Sequence, residues 1–184
     1  MRITGGKAAR RILKVPKGLA VRPTPDLVKQ AVFNSLGGRV VGARVLELFA
    51  GTGALSLECL SRGATSAVCV EKSSRHAETL RQNFQLAGFP PETLQVRVQD
   101  VFAALAQLET AGQLFDLILA DPPYEPGAAK IIQNLLKQYP ILKPGGFLAI
   151  EHGEKDPDLE PEFTMELVRQ RKYGETLLTL FKAP

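Results

Sequence analysis

Short runs of apolar residues alternate with longer segments whose apolar positions recur every three to four residues, from Arg44 to Glu151. The runs are Arg44 to Phe49, Ser66 to Glu71, Leu94 to Gln99, Phe115 to Ala120 and Phe147 to Glu151. Each is bounded by turn residues, the pattern of strands covered on both faces. The intervening segments read as helices. One runs from Ala54 to about Arg62-Gly63. The next runs from Ser74 to Ala87, with Ala77, Leu80, Phe84 and Ala87 on its core face and Gly88-Phe89-Pro90-Pro91 as its stop. Short and long helices follow from Phe102 to Leu108 and from Ala128 to Tyr139, the latter with Ile131, Ile132, Leu135 and Leu136 inward. Strand and helix alternate through five strands, so the right-handed crossover rule makes a parallel, doubly wound α/β sheet the natural fold.

The flanks differ. Thr24 suits a helix N-cap, Pro25 the first helical position and Asp26 the positive end, ahead of an apolar face of Leu27, Val28, Ala31, Val32 and Leu36 that Gly37-Gly38 closes. Beyond His152 the pattern stops: residues 152–162 are polar, acidic and proline-containing, as in a solvent loop. Met165 to Gln170 and Thr176 to Phe181 then read as a hairpin through Arg171-Lys172-Tyr173-Gly174-Glu175. It brings the strands to seven and places one antiparallel strand in a mostly parallel sheet. At the other end Arg2-Ile3-Thr4, Gly5-Gly6 and Arg11 to Val15 suggest a short β-hairpin. The reading is therefore an N-terminal arm, residues 1–22, on one domain, residues 23–184.

Composition narrows the class. With 184 residues, 45% hydrophobic and 23% charged, the chain is one ordinary soluble domain. No apolar run approaches the roughly 18 residues of a membrane span, and the N-terminus has no secretory core. Cys59 and Cys69 read as reduced packing residues, without a Cys/His cluster for a metal. Charge adds more: residues 1–22 carry seven cations and no acid, which leaves the rest of a +4 chain at −3. Such an arm fits a phosphate backbone, with Arg2, Lys7, Arg10, Arg11, Lys14 and Lys17 as candidate contacts. A solvated tail or a transit peptide shares that composition.

The chemistry concentrates where strands end. Glu47-Leu48-Phe49-Ala50-Gly51-Thr52-Gly53 carries a strand into a glycine turn and a helix, and glycine lets a ligand approach the backbone beyond the strand's carboxyl end. Glu71 ends the second strand about 20 residues later, where dinucleotide-binding folds place an acid on ribose hydroxyls. Asp100 follows the third strand. Asp121-Pro122-Pro123-Tyr124 follows the fourth. Two prolines fix φ and remove two N–H donors, which leaves accepting carbonyls beside an accepting carboxylate. That pocket suits an NH2 group on a planar base, with Tyr124 as a stacking face. Glu47 fits either a place beside a ligand or a bond to the neighbouring turn. Glu151 ends the fifth strand without a defined task, and His76 and His152 read as structural.

Phe49-Ala50-Gly51-Thr52-Gly53, Glu71, Asp100 and Asp121-Pro122-Pro123-Tyr124 resemble the ordered motifs of class I S-adenosylmethionine-dependent amino-methyltransferases. Met1-Arg2-Ile3 with Gly6-Lys7, Arg22-Pro23-Thr24, Val32-Phe33-Asn34, Leu46 to Leu55 and Ser61-Arg62-Gly63-Ala64 extend the likeness over nearly the whole chain. Together they resemble the RsmD family, bacterial guanine-N2 methyltransferases of small-subunit (16S) ribosomal RNA. Ala8-Ala9 departs from the aromatic or basic residue expected there.

The resemblance implies a Rossmann-like fold and S-adenosyl-L-methionine as cofactor, without a metal. Phe49, Gly51 and Gly53 would cradle its methionine part, with Glu47 nearby and Arg22 or Thr24 closing over its carboxylate. Glu71 would hold the ribose hydroxyls and Asp100 the adenine amine, with Val101 offering an N–H and Lys72 or Ser73 flanking the ring. Asp121, Pro122, Pro123 and Tyr124 would receive a flipped guanine. It further implies a cytoplasmic monomer acting on a 30S particle or assembly intermediate. The same tetrapeptide serves enzymes acting on adenine N6, cytosine N4 or, with Asn for Asp, a protein glutamine. A non-catalytic RNA-binding module on this scaffold is the alternative from another class.

Overall fold

Strand β1 (Arg44–Leu48) pairs in parallel on both sides, with β2 (Ser66–Glu71) and with β4 (Phe115–Ala120). Around it the sheet grows in the order β3-β2-β1-β4-β5-β7-β6, with β3 at Leu94–Val98, β5 at Leu142–Gly153, β6 at Glu166–Tyr173 and β7 at Thr176–Lys182. All neighbours in β1–β5 are parallel, whereas β7 is antiparallel to both β5 and β6. The one reversed strand is thus the expected one. This computed structural model describes residues 1–16, 26–123, 127–153 and 164–184. The proposed cap Thr24-Pro25, the boundary at residues 22 and 23, and most of the loop at 152–162 fall outside them.

Alternation along the strands splits the core in two. Val45, Leu117, Ala149, Leu178 and Leu180 face α1 (Asp26–Leu36), α2 (Ala54–Ser61) and α3 (Ser74–Ala87). Leu46, Leu48, Ile118, Leu148 and Ile150 face α4 (Val101–Thr110) and α5 (Ala128–Gln138). Helix α3 has the predicted limits: Ser73 caps it by accepting from the His76 N–H, and Gly88 ends it at φ 71°. Its predicted core residues Ala77, Leu80, Phe84 and Ala87 are all buried.

Four expectations need correction. In α5, Ile131 is 46% exposed while Gln133 is 2% exposed. Both flank the inward arc, about 100° to either side of Ile132 at 3.6 residues per turn, and the Gln133 flank is the covered one. Strand β5 begins at Leu142, because the expected turn at Lys143 to Gly146 is an excursion within the strand, where pairing jumps from Leu142 to Phe147. The closing hairpin turns over Gly174-Glu175 alone, with Tyr173 opposite Thr176. His152, expected in a loop, is buried in β5 with Nε2 2.9 Å from Thr179 Oγ1.

Residues 1–16 include the expected short hairpin, which lies as a strap against the domain. The chain folds back with a single antiparallel bridge, Arg2 to Ile12, and Ile3, Ala8 and Leu13 enter the core with α1 and α2. Ala8, where an aromatic or basic residue was expected, is a buried core residue. Thr4 donates its N–H and hydroxyl to the buried Glu58 carboxylate at 2.7 and 2.8 Å, and Arg62 pairs with that carboxylate at 2.8 Å. At Gly6, φ is 75° and an added Cβ would lie 1.9 Å from Ser61 O, so only glycine lets the strap rest on the end of α2. Further along, the Lys14 N–H donates to Asn83 Oδ1 at 2.7 Å. Lys29, fully buried in α1, donates to Arg2 O and pairs with Asp26 Oδ1 at 3.1 Å.

Candidate active site

Parallel strands end on one edge, and register orders the residues there. Val70, Leu48, Ala120 and Ile150 lie in one row across β2, β1, β4 and β5. One residue further along come Glu71, Phe49, Asp121 and Glu151. Folding therefore brings the ends of four separate strands to one crevice, the place where open α/β sheets bind ligands.

Local geometry turns the chain away beneath that crevice. Phe49 has φ 58°, a costly conformation for a side chain with a Cβ and a frequent one at functional sites. Gly51 follows at φ 53°, and an added Cβ would meet only Phe49 O at 4.0 Å, so the turn leaves open space for a ligand. Gly53 serves differently. At φ 76° its missing Cβ would lie 2.7 Å from Leu80 Cγ, so this glycine allows α2 to start against α3. Open space thus lies over Gly51, while Gly53 positions the helix behind it.

The acids divide by burial. Glu47, 3% exposed, accepts at 3.0 Å from the Ser56 N–H in the first turn of α2 and lies 3.8 Å from Cys69 Sγ. Burial pushes its carboxyl up to about 7, opposed by the bonds from Ser56. Of the two readings for Glu47, the structure shows the bond to the turn. Burial also raises both thiols, and Cys59 and Cys69 are free and buried as expected.

Glu71 pins the turn. One oxygen accepts from the Gly51 N–H and the other from the Ser73 N–H, each at 2.7 Å, and His76 Nδ1 lies 3.7 Å from the latter. Each oxygen keeps lone-pair capacity for a hydroxyl. Asp100 caps α4 through the Phe102 N–H at 2.9 Å, while Lys72 Nζ lies 3.5 Å from its other oxygen. Val101 is the first residue of α4; its side chain is buried and its N–H belongs to the helix's open first turn. Beside Asp100, Phe102 exposes 53% of its surface, a ring the sequence reading passed over. An apolar residue at the second position of a helix, off the core stripe, was the available signal.

After β4 the chain leaves the sheet through Asp121, partly exposed, then buried Pro122 and exposed Pro123. Tyr124, Arg22, Thr24 and Lys17 lie outside the described residues. The strap's cations sit elsewhere. Arg2 pairs with Asp26 at 3.0 Å, Lys7 Nζ lies 5.1 Å over the Phe89 ring, Arg11 donates to Leu86 O at 2.8 Å and Lys14 to Gln82 Oε1 at 3.1 Å. Arg10 is exposed at φ 71°. Because α3 runs back from the crevice, Lys7, Arg10 and Arg11 lie by its far end, on the order of 20 Å away.

A seven-stranded sheet in this order, with its one reversed strand and a glycine turn beside strand-end acids, defines a class I methyltransferase fold. Residues 1–182 match the family described as Conserved hypothetical protein 95. The chain belongs to this family, the RsmD family. It is 34% identical over 182 residues to Ribosomal RNA small subunit methyltransferase D of Escherichia coli K12, covering 99% of this chain and 89% of that protein. A solved Thermus protein, described only as hypothetical, superposes with TM-score 0.82 at 33% identity over 98% of both chains. A solved protein complexed with SAH shares the fold alone, at TM-score 0.71 and 17% identity over 84% of this chain and 48% of that one.

Proposed function

We propose that this protein transfers a methyl group from S-adenosyl-L-methionine to the exocyclic N2 amine of a guanine in small-subunit ribosomal RNA. The observation that carries the reading is the single register row that aligns Glu71, the Phe49 turn and Asp121 at the carboxyl edge. The cofactor fits what is there. Open space above Gly51 accepts its methionine part, Glu71 has lone pairs for the ribose hydroxyls, and Asp100 has an oxygen that, among the described residues, faces Lys72 and can accept from the adenine amine. Phe102 supplies an exposed face beside that amine. The bound cofactor would provide an electrophilic methyl group on a sulfonium.

The chain's own part is positioning. The guanine NH2 donates one N–H to the Asp121 carboxylate and the other to the Pro122 carbonyl, which holds its nitrogen pyramidal with the lone pair aimed at the methyl carbon. Transfer of the methyl group to that nitrogen would leave the C–S electron pair on sulfur. The proton lost from nitrogen passes through Asp121 to solvent. Orientation and fixed charge supply the rate, so no metal enters. The relative named as a small-subunit enzyme, alike over nearly the whole chain, supports ribosomal RNA as the substrate. A cytoplasmic monomer acting on a 30S particle or its assembly intermediate completes the proposal. Among the described residues no helix is long and apolar enough to cross a membrane.

The test is tritium transfer from labelled S-adenosylmethionine to unmethylated small subunits, to their deproteinised RNA and to duplex DNA, followed by nucleoside analysis. N2-methylguanosine is the expected product. N6-methyladenosine would overturn the base assignment, and binding without transfer would leave a non-catalytic RNA-binding module.

A further inference from the structure

The last strand of the sheet carries charge that the transfer reaction does not use. Strand β6 is exposed along nearly its whole length, and Arg169, Arg171 and Tyr173 alternate onto the face that meets α1. With Gln30, Ala31, Asn34 and Ser35 of α1 they line an open cleft of about 260 Å³. The β6 side brings guanidinium groups and the Tyr173 ring, and the α1 side brings side-chain amides and a hydroxyl. Among the described residues neither Arg169 nor Arg171 has a side-chain hydrogen bond or ion pair.

Register ties the cleft to the active site. Arg171 lies opposite Leu178, which lies opposite Glu151, in the row that continues to Asp121. Three strand spacings separate Arg171 from that aspartate's strand, about 14 Å. Arg171 and Tyr173 therefore reach the same edge as Asp121, whereas the strap's Arg10 and Arg11 lie by the far end of α3.

We infer that the α1/β6 cleft holds the phosphodiester backbone of the RNA next to the target nucleotide, with Arg169 and Arg171 on phosphates and Tyr173 available to stack a neighbouring base. Planar guanidinium forks match phosphate oxygens in pairs, and amides add donors to the same groups. The charge also argues against a second copy of this chain adding its own β6 to the open strand edge, since that would align like cations. This inference rests on the RNA reading above.

The test measures binding of deproteinised small-subunit RNA and of intact small subunits across a salt series, for the wild type, Arg169→Gln/Arg171→Gln and Arg169→Lys/Arg171→Lys. The glutamine pair should weaken RNA binding at least about tenfold at 0.1 M salt and lower the salt slope by about 1.4 to 1.8, as for two lost phosphate contacts. Its KM for RNA should rise with kcat unchanged, its cofactor affinity should match the wild type, and the lysine pair should keep the salt slope. Unchanged affinity and slope in the glutamine pair, with normal RNA binding by the wild type, would overturn the cleft alone. Loss confined to intact subunits would overturn it in favour of a ribosomal protein contact. A wild type with affinity for neither the deproteinised RNA nor the intact subunits would overturn both this and the RNA reading.

Discussion

Replacing Glu47 with Gln should change how stability depends on pH more than it changes stability itself. Its carboxyl is held near 7 in the folded chain against 4.5 as a free side chain, because burial disfavours the charged form. The folded state thus keeps this proton longer than the unfolded state does. The contribution is complete below pH 4.5, is lost as pH rises from there through 7, and is flat above. A shift from 4.5 to about 7 corresponds to on the order of 3 kcal/mol, most of it falling between pH 5 and 8. Glutamine keeps an acceptor for the Ser56 N–H and does not titrate, so the variant should gain roughly 2 to 3 kcal/mol on the wild type across that interval. Urea unfolding of both proteins at pH 5, 6, 7 and 8, without cofactor, measures the difference curve. In thermal scans it corresponds to roughly 5 to 10 °C of relative Tm for a chain of this size. Asp26 and Asp116, both lowered, act with the opposite sign but below pH 3.8, outside the window. Parallel curves for the two proteins would show that Glu47 ionises normally in its pocket, and the burial argument would fail.

Asp121→Ala should leave cofactor affinity near the wild type by calorimetry and lower turnover by at least ~10²-fold, the scale for one preorganised polar contact; normal turnover would remove Asp121 from the chemistry. Gly51→Ala and Gly53→Ala should separate, though both place a Cβ at positive φ. The first costs about 1–2 kcal/mol of stability and weakens cofactor binding more than tenfold, while the second adds a further ~1–3 kcal/mol by displacing Leu80, seen in urea midpoints. Arg62→Leu should lower stability by about 3–5 kcal/mol, since it strands the fully buried Glu58 carboxylate with only Thr4 as donor. A midpoint within 0.5 kcal/mol of the wild type, on the order of ordinary surface substitutions, would count against that pair.

Elements whose partners are periodic in the chain were legible in it. Strands β1 to β4 and α3 could be placed because one apolar period specifies each, and the strand-end acids because parallel register brings every such terminus to one edge. What a residue touches across the molecule was less accessible. Gly53 looks like part of a ligand turn, and only Leu80, 27 positions later, shows that its bare α-carbon meets another helix. Glu47 left two readings open because the amide it bonds belongs to the next helix. The strap's fold-back was legible but its burial was not, since Ile3, Ala8 and Leu13 are too few to show a period. Ile131 and Gln133 flank one arc symmetrically, so nothing in the helix itself could say which side the rest of the fold would cover.

The strap also bears on how the chain comes into being. Its docking sites, Asn83 for Lys14 and Leu86 for Arg11, lie 69 and 75 residues further along. At about 5 to 20 residues per second of synthesis, the opening segment has left the ribosome roughly 4 to 15 s before the helix it rests on exists. Until then the strap lacks part of its seat, and its own backbone bonds, Ile3 N–H to Arg11 O and Leu13 N–H to Met1 O at 3.0 Å each, are what hold it folded back. The first residues made are among the last to settle, and the long loops they close place the strap late in folding, after the sheet and its helices have formed the seat.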